Sequence, residues 1–143
     1  MAYVNLTRKG DNSCKKSKSY FATEIDVTDA DVGKVSVNLL LGNLPPNAII
    51  TDAYLHRVIA SNAATTATVA LGTTEGGAQI MAAADIKGTG KVGTLVAQSL
   101  TGSGKPLYAA LAIAGAQTVG KFIIVVDYME PSKVTGELTK VTS

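Results

Sequence analysis

Seven short runs of β-branched and apolar residues, each bounded by glycine, proline, asparagine or aspartate, set the terms on which this chain can fold. They are SYFATEIDV (19–27), KVSVNLLL (34–41), AIITDAYLHRVIA (48–60), TATVALGT (66–73), VGTLVAQSL (92–100), LYAALAIA (107–114) and KFIIVVDYME (121–130). Between them lie GNLPPN, SNAAT, GTTEGG, KGTGK, TGSGKP and AGAQTVG. A helical pattern is plausible in one place only, GAQIMAAADIK (77–87), where a short helix is expected. Seven or eight strands without βαβ alternation predict an all-β protein: an antiparallel β-sandwich of jelly-roll type. The sandwich is expected over 19–130, with a basic N-terminal arm at 1–18 and a polar C-terminal tail at 131–143.

Two strands can be given faces. Ala67, Val69 and Leu71 alternate with Thr66, Thr68 and Ala70, which makes one apolar face and one small, polar face. Phe122, Ile124, Val126 and Tyr128 share one side of the last run, and Ile123, Val125 and Asp127 the other. Both sides are largely apolar, so this strand is expected at the centre of a sheet or covered on both faces. Pro45 and Pro46 cannot donate ladder hydrogen bonds, so LPPNA reads as a turn.

A chain of 143 residues suits one domain and buries about two-thirds of its surface on folding, enough for a core without disulfides or metals. Cys14 is the single cysteine, so no intrachain disulfide is possible and a reducing compartment is expected. MAYVNLTRKG has no apolar run behind its charges, so no signal peptide is expected, nor any membrane span.

Motifs that suggest chemistry fail on context. Gly88, Gly90 and Gly93 spell the dinucleotide fingerprint, but a strand-like segment follows where a helix must open, and no acid lies between Lys91 and Lys121. Gly90-Lys91 and Gly104-Lys105 lack the hydroxyl residue and the first glycine of a phosphate loop; Val92 and Pro106, Asp85 and Ser99 stand there instead. Asp26, Asp29 and Asp31 lack the closing glutamate of a calcium loop and read as turn formers. His56 is the only histidine and is expected in a strand, hydrogen-bonded or at an interface. Cys14 has no assignable base. No catalytic constellation, cofactor site or metal site is expected.

Charge is segregated. Residues 1–20 carry Arg8, Lys9, Lys15, Lys16 and Lys18 against Asp11, while the remainder holds eight basic and ten acidic residues. The five cations of the arm are the candidate partner-binding residues, for an acidic protein surface or for nucleic-acid phosphates; the alternative is a solvated terminus. The body lacks the ribonucleoprotein signature and the interleaved aromatics that stack bases, so a protein partner is favoured and nucleic acid is unlikely.

Three segments carry a resemblance. They are an L-G-x-L-P-x-x-A-x-I stretch starting at Leu41, T-x-T-V-x-L-G-T from Thr66 to Thr73, and A-A-A-D-I-K from Ala82 to Lys87. With the closing Val125–Tyr128 (VVDY), they resemble the jelly-roll cement, or decoration, proteins of tailed-bacteriophage capsids, including the kind found in a short-tailed Bordetella phage. The resemblance covers about residues 30–130 and consists of packing and turn motifs. It implies a non-enzymatic virion protein on the capsid surface, made in the host cytoplasm. Its partners would be the major capsid protein and its own copies, as a dimer or trimer. The alternatives are another phage head or tail component, or a carbohydrate-binding β-sandwich, against which the absence of tryptophan argues.

Overall fold

The computed structural model describes residues 2–4, 18–28, 34–96, 99–130 and 140–142, and among these there is no helix. The strands, in chain order, are β1 (Ala2–Val4), β2 (Lys18–Asp26), β3 (Val37–Leu44), β4 (Ile49–Ile59), β5 (Thr66–Gly72) and β6 (Met81–Asp85). They continue with β7 (Gly90–Val92), β8 (Ser99–Leu100), β9 (Lys105–Ala114), β10 (Lys121–Met129) and β11 (Lys140–Thr142).

Two antiparallel sheets, ordered β2-β10-β4-β7 and β3-β9-β5-β6, form a β-sandwich, with the two-residue β8 added beside β4. With β8 set aside, the chain passes from one sheet to the other at every step except the β5–β6 hairpin, an order compatible with a jelly roll. The sheets pack through alternate residues. Ile50, Leu55, Ile124 and Val126 come from one, and Val69, Leu71, Leu107 and Ala109 from the other, none more than 1 % exposed. Phe122, Ile124 and Val126 are buried in a strand flanked on both sides by β2 and β4, as the alternation at 121–130 predicts.

Two expectations are overturned. The segment 77–87 holds no helix: Met81–Asp85 pairs with β5 as an edge strand. Ile80, Met81, Ala84 and Ile86 are buried there, and burial of this spacing against a sheet, with a bulge opposite Val69 and Leu71, outweighs alanine's helical preference. The run 92–100 is not one strand either. Gly93 takes φ 91° and the ladder stops, leaving β7, an isolated bridge from Leu95 to Met81, and β8.

Loops at the two ends are tied together. At one end Val27 donates to the Gly120 carbonyl (2.9 Å), Ser61 to Ile86 (3.0 Å) and Gln117 to Lys34 (3.1 Å). There the Asn62 carboxamide oxygen accepts from the amides of Thr118 (2.9 Å) and Val119 (3.1 Å). Buried Ser61 donates its hydroxyl to Gln117 Oε1. At the other end the Thr101 hydroxyl donates to the Pro45 carbonyl (2.6 Å) and accepts from the Ala48 amide (2.9 Å), which locks the LPPNA turn, where Asn47 takes φ 59°. Lys18, Met129, Ile49 and Leu100 pair side by side at this end, so the two long terminal strands leave the sandwich as neighbours. Ala2–Val4 pairs antiparallel with Lys140–Thr142 as a separate two-stranded sheet.

Candidate interaction surfaces

Of the basic residues singled out in the arm, Arg8, Lys9, Lys15 and Lys16 lie outside the described residues, as do Cys14, Asp29 and Asp31. Lys18 is placed by its backbone as the first residue of β2, opposite Met129.

The outward face of the β2-β10-β4-β7 sheet was not legible as a surface, because it is assembled from four distant segments. Register places Glu24, Ile123, His56 and Lys91 in one cross-strand row, and Ala22, Val125 and Tyr54 in the next. Tyr20, Asp127 and Asp52 form a third. Ile123 and Val125 are half-buried along the middle, and Tyr20 is 69 % exposed. Lys91 Nζ sits 4.4 Å from the centroid of the Tyr54 ring and 4.0 Å from Asp52 Oδ2. His56 is exposed in its strand, away from any metal-binding group: among the described residues no three His, Cys, Asp or Glu come together.

At the other end of this face Lys121 Nζ lies 3.2 Å from Asp26 Oδ2 and 3.5 Å from Glu24 Oε1. Asp26 Oδ1 also accepts from the Thr28 amide (2.9 Å) and the Thr28 hydroxyl (2.6 Å), the side-chain turn expected of an aspartate here. The Thr28 bonds, with Lys121 adding to them, hold the Asp26 carboxyl down to about 2. The same ion pairs raise the Lys121 ammonium above its ordinary value.

The outward face of the other sheet is built of Thr66, Thr68, Ala70, Ala110 and Ala112, with Leu40 61 % exposed. Gly72 lies against the backbone of Gly77, so the 73–80 loop folds back onto this sheet, held where Gln79 accepts from the Thr73 amide (3.1 Å) and donates to the Thr74 hydroxyl (2.7 Å). At the Pro45–Pro46 turn, an open cleft of about 420 Å³ runs between those prolines and Ser103, Lys105 and Pro106.

The Gly88-x-Gly90-x-x-Gly93 loop can now be judged by its polarity. Carbonyls here converge on one side chain. Arg57 donates Nε to Gly90 (3.1 Å), Nη1 to Asp85 (3.0 Å) and Nη2 to Thr89 (2.8 Å). A phosphate loop presents amide protons to an anion, whereas this loop presents oxygens to a cation belonging to its own protein.

No protein-family model matches this chain, and no curated protein matches it in sequence. Solved structures do match in fold. One is a chain from the acidic stable capsid structure of Helicobacter pylori bacteriophage KHP30, at 19 % identity and a TM-score of 0.61, covering 90 % of this chain and 96 % of that one. Another is a chain from the cyanophage Pam1 capsid asymmetric unit, at 21 % identity and a TM-score of 0.52, covering 82 % of this chain and 86 % of that one. At such identities the likeness is one of fold, and it extends over more than four-fifths of each chain.

Proposed function

We propose that this protein is a non-enzymatic structural component of a tailed-bacteriophage virion. In this reading it binds the outside of the capsid shell as a cement protein, of the type the sequence resembles in a short-tailed Bordetella phage. The observation that carries the reading is the end-to-end likeness to a chain of the KHP30 capsid structure, 90 % of this chain against 96 % of that one. The Pam1 capsid chain adds a second phage capsid with the same architecture.

The chemistry of the surface suits the role. Small Ala and Thr side chains lose little rotamer freedom when they pack against a neighbour. Weak contacts repeated on a lattice become strong through multivalency. The partners are the major capsid protein and further copies of this chain, as a dimer or trimer, and the basic arm (Arg8, Lys9, Lys15, Lys16, Lys18) contributes to attachment. The protein is made in the host cytoplasm and resides on the capsid surface.

The test is co-sedimentation with shells assembled from the major capsid protein of the same phage. Saturable binding that protects shells against heat or low salt is the expected result. Absence of binding to both immature and expanded shells would overturn the reading.

A further inference from the structure

A sheet edge needs protection, because its unpaired amides and carbonyls invite another strand. Three of the four outer strands of this sandwich have it. β2 carries Glu24 and Asp26, with Lys121 bound to both acids. β6 has five residues ending at Asp85, and β7 has three. The fourth, β3, has eight residues, VNLLLGNL, with no charge and no proline, and its one irregularity is a bulge between Leu40 and Gly42. Among the described residues it pairs on one side only, with β9.

A second, independent feature lies under the same strand. Inward side chains on neighbouring β9 are sealed: Leu107, Ala109 and Leu111 are 1 %, 0 % and 3 % exposed. Inward Val37, Leu39 and Leu41 of β3 pack on the core yet stay partly exposed, as does Phe21 of β2 across the gap between the sheets. The core is therefore open as an apolar seam along β3. On the outward side of the strand Leu40 is 61 % exposed, and Val35 just before it is 59 % exposed.

We infer that β3 is the surface through which two copies of this chain associate, pairing antiparallel about a twofold axis and joining their β3-β9-β5-β6 sheets into one. The occupant must be an extended strand, because what an edge lacks is hydrogen-bond partners at sheet spacing. The β3 strand of a second copy fits, since the sequence is self-complementary in the way a twofold interface requires. Pairing centred on Leu40 brings Leu39 of each copy beside Leu41 of the other, the residue that bulges out of the β3–β9 register. No like charges meet, and the leucines close both seams at once. Eight strand residues a side fall short of the 20–30 or so of a standard interface, so the isolated dimer belongs in the micromolar range, and a lattice would strengthen it. The inference deepens the self-association within the proposed role and does not depend on attachment to a shell.

Sedimentation of the full chain at high micromolar concentration should give a dimer. Leu40→Lys, at a position exposed enough to accept lysine, should give a monomer at the same concentration with an unchanged β-type circular dichroism spectrum. A Leu40→Cys variant in a Cys14→Ser background should oxidise to a covalent dimer, because directly opposed strand residues hold their Cβ atoms about 4.5–5.5 Å apart, close to disulfide range. Val58→Cys, exposed on β4, should not. A strictly monomeric native protein would overturn both this edge and self-association. An oligomer that survives Leu40→Lys, or that cross-links through Val58→Cys and not Leu40→Cys, would overturn the edge alone. Should Leu40→Lys fail to fold, the cross-link decides. Shell binding enters none of these outcomes.

Discussion

Arg57 Nη2 donates to the Thr89 carbonyl at 2.8 Å, and with this bond and its two companions a β4 side chain holds the loop between β6 and β7 against its own strand. The nearest atom to a methyl group placed on Gly88 would be Arg57 Nη1, at 2.9 Å, so the loop's glycine and the guanidinium fit one another.

Replacing Arg57 with alanine should therefore lower stability by about 1–3 kcal/mol in urea melts, the range for charge-assisted bonds that are partly exposed. Hydrogen exchange should accelerate at residues 87–91 before anywhere else. Adding inorganic phosphate should leave the melting temperature of the native protein unchanged. A rise of several degrees would show that the loop binds anions after all.

Ile124 is fully buried in the central strand, while Ile123 faces outward and is half-buried. Truncation of Ile124 to alanine should cost about 2–5 kcal/mol, and truncation of Ile123 clearly less. Equal losses in the two variants would mean that the outward face of this sheet is covered in the isolated protein.

At Gly72 a methyl group would stand 2.6 Å from the carbonyl carbon and oxygen of Gly77, which are backbone atoms that cannot turn aside. Gly72→Ala should destabilise by about 1–3 kcal/mol or more and loosen the 73–80 loop. Gly90 has φ 86° but nothing within 4 Å, so Gly90→Ala meets only the backbone preference and should cost less, about 1 kcal/mol.

The Asp26 carboxyl, lowered from an ordinary 3.8 to about 2, favours the folded state when ionised. Its contribution is present in full above pH 3.8 and is lost as pH falls from there through 2. Lys121, raised, stays charged throughout that window and gives up its contribution only above 10.5. Acid unfolding followed by tryptophan-independent far-ultraviolet dichroism should thus be less steep between pH 4 and 2 in Asp26→Asn. An identical acid limb would mean that the Thr28 and Lys121 bonds do not persist in solution.

Were the five cations of the arm to neutralise duplex phosphates together, binding would fall roughly 500-fold between about 50 and 200 mM salt. Exposed ion pairs to a protein shell contribute about 0–1 kcal/mol each, with apolar packing supplying the rest. Deleting residues 1–18 is accordingly expected to weaken shell attachment, and the free protein to bind DNA weakly at physiological salt. Tight, steeply salt-dependent DNA binding together with unimpaired shell binding after the deletion would reverse this assignment.

The strands that could be read from sequence are those whose local pattern and final environment agree. The alternation Phe122-Ile124-Val126 is a property of nine adjacent residues, and the structure buries that side. The Ala-rich stretch 81–85 misleads because its fate is decided by β5, which needs an edge partner, and not by its own preference. Residues 92–100 carry strand composition, but Gly93 turns the backbone aside before a ladder can form. Surfaces were least legible. Tyr54 meets Lys91 from 37 positions away and Ile123 meets His56 from 67, and only register, fixed by the whole fold, brings such residues together. The lack of charge in VNLLLGNL was visible, but that it borders the sandwich was not.

The position of β10 between β2 and β4 has a consequence for synthesis. The strand that completes the centre of one sheet is also the last long strand to leave the ribosome, and its partner β2 starts more than 100 residues earlier. At about 5–20 residues per second, β2 and β4 wait several seconds with the place between them unfilled. The sheet β2-β10-β4-β7 is therefore completed only after residue 129 has emerged, and any nascent chain cut short before β10 leaves β2 and β4 without the strand between them.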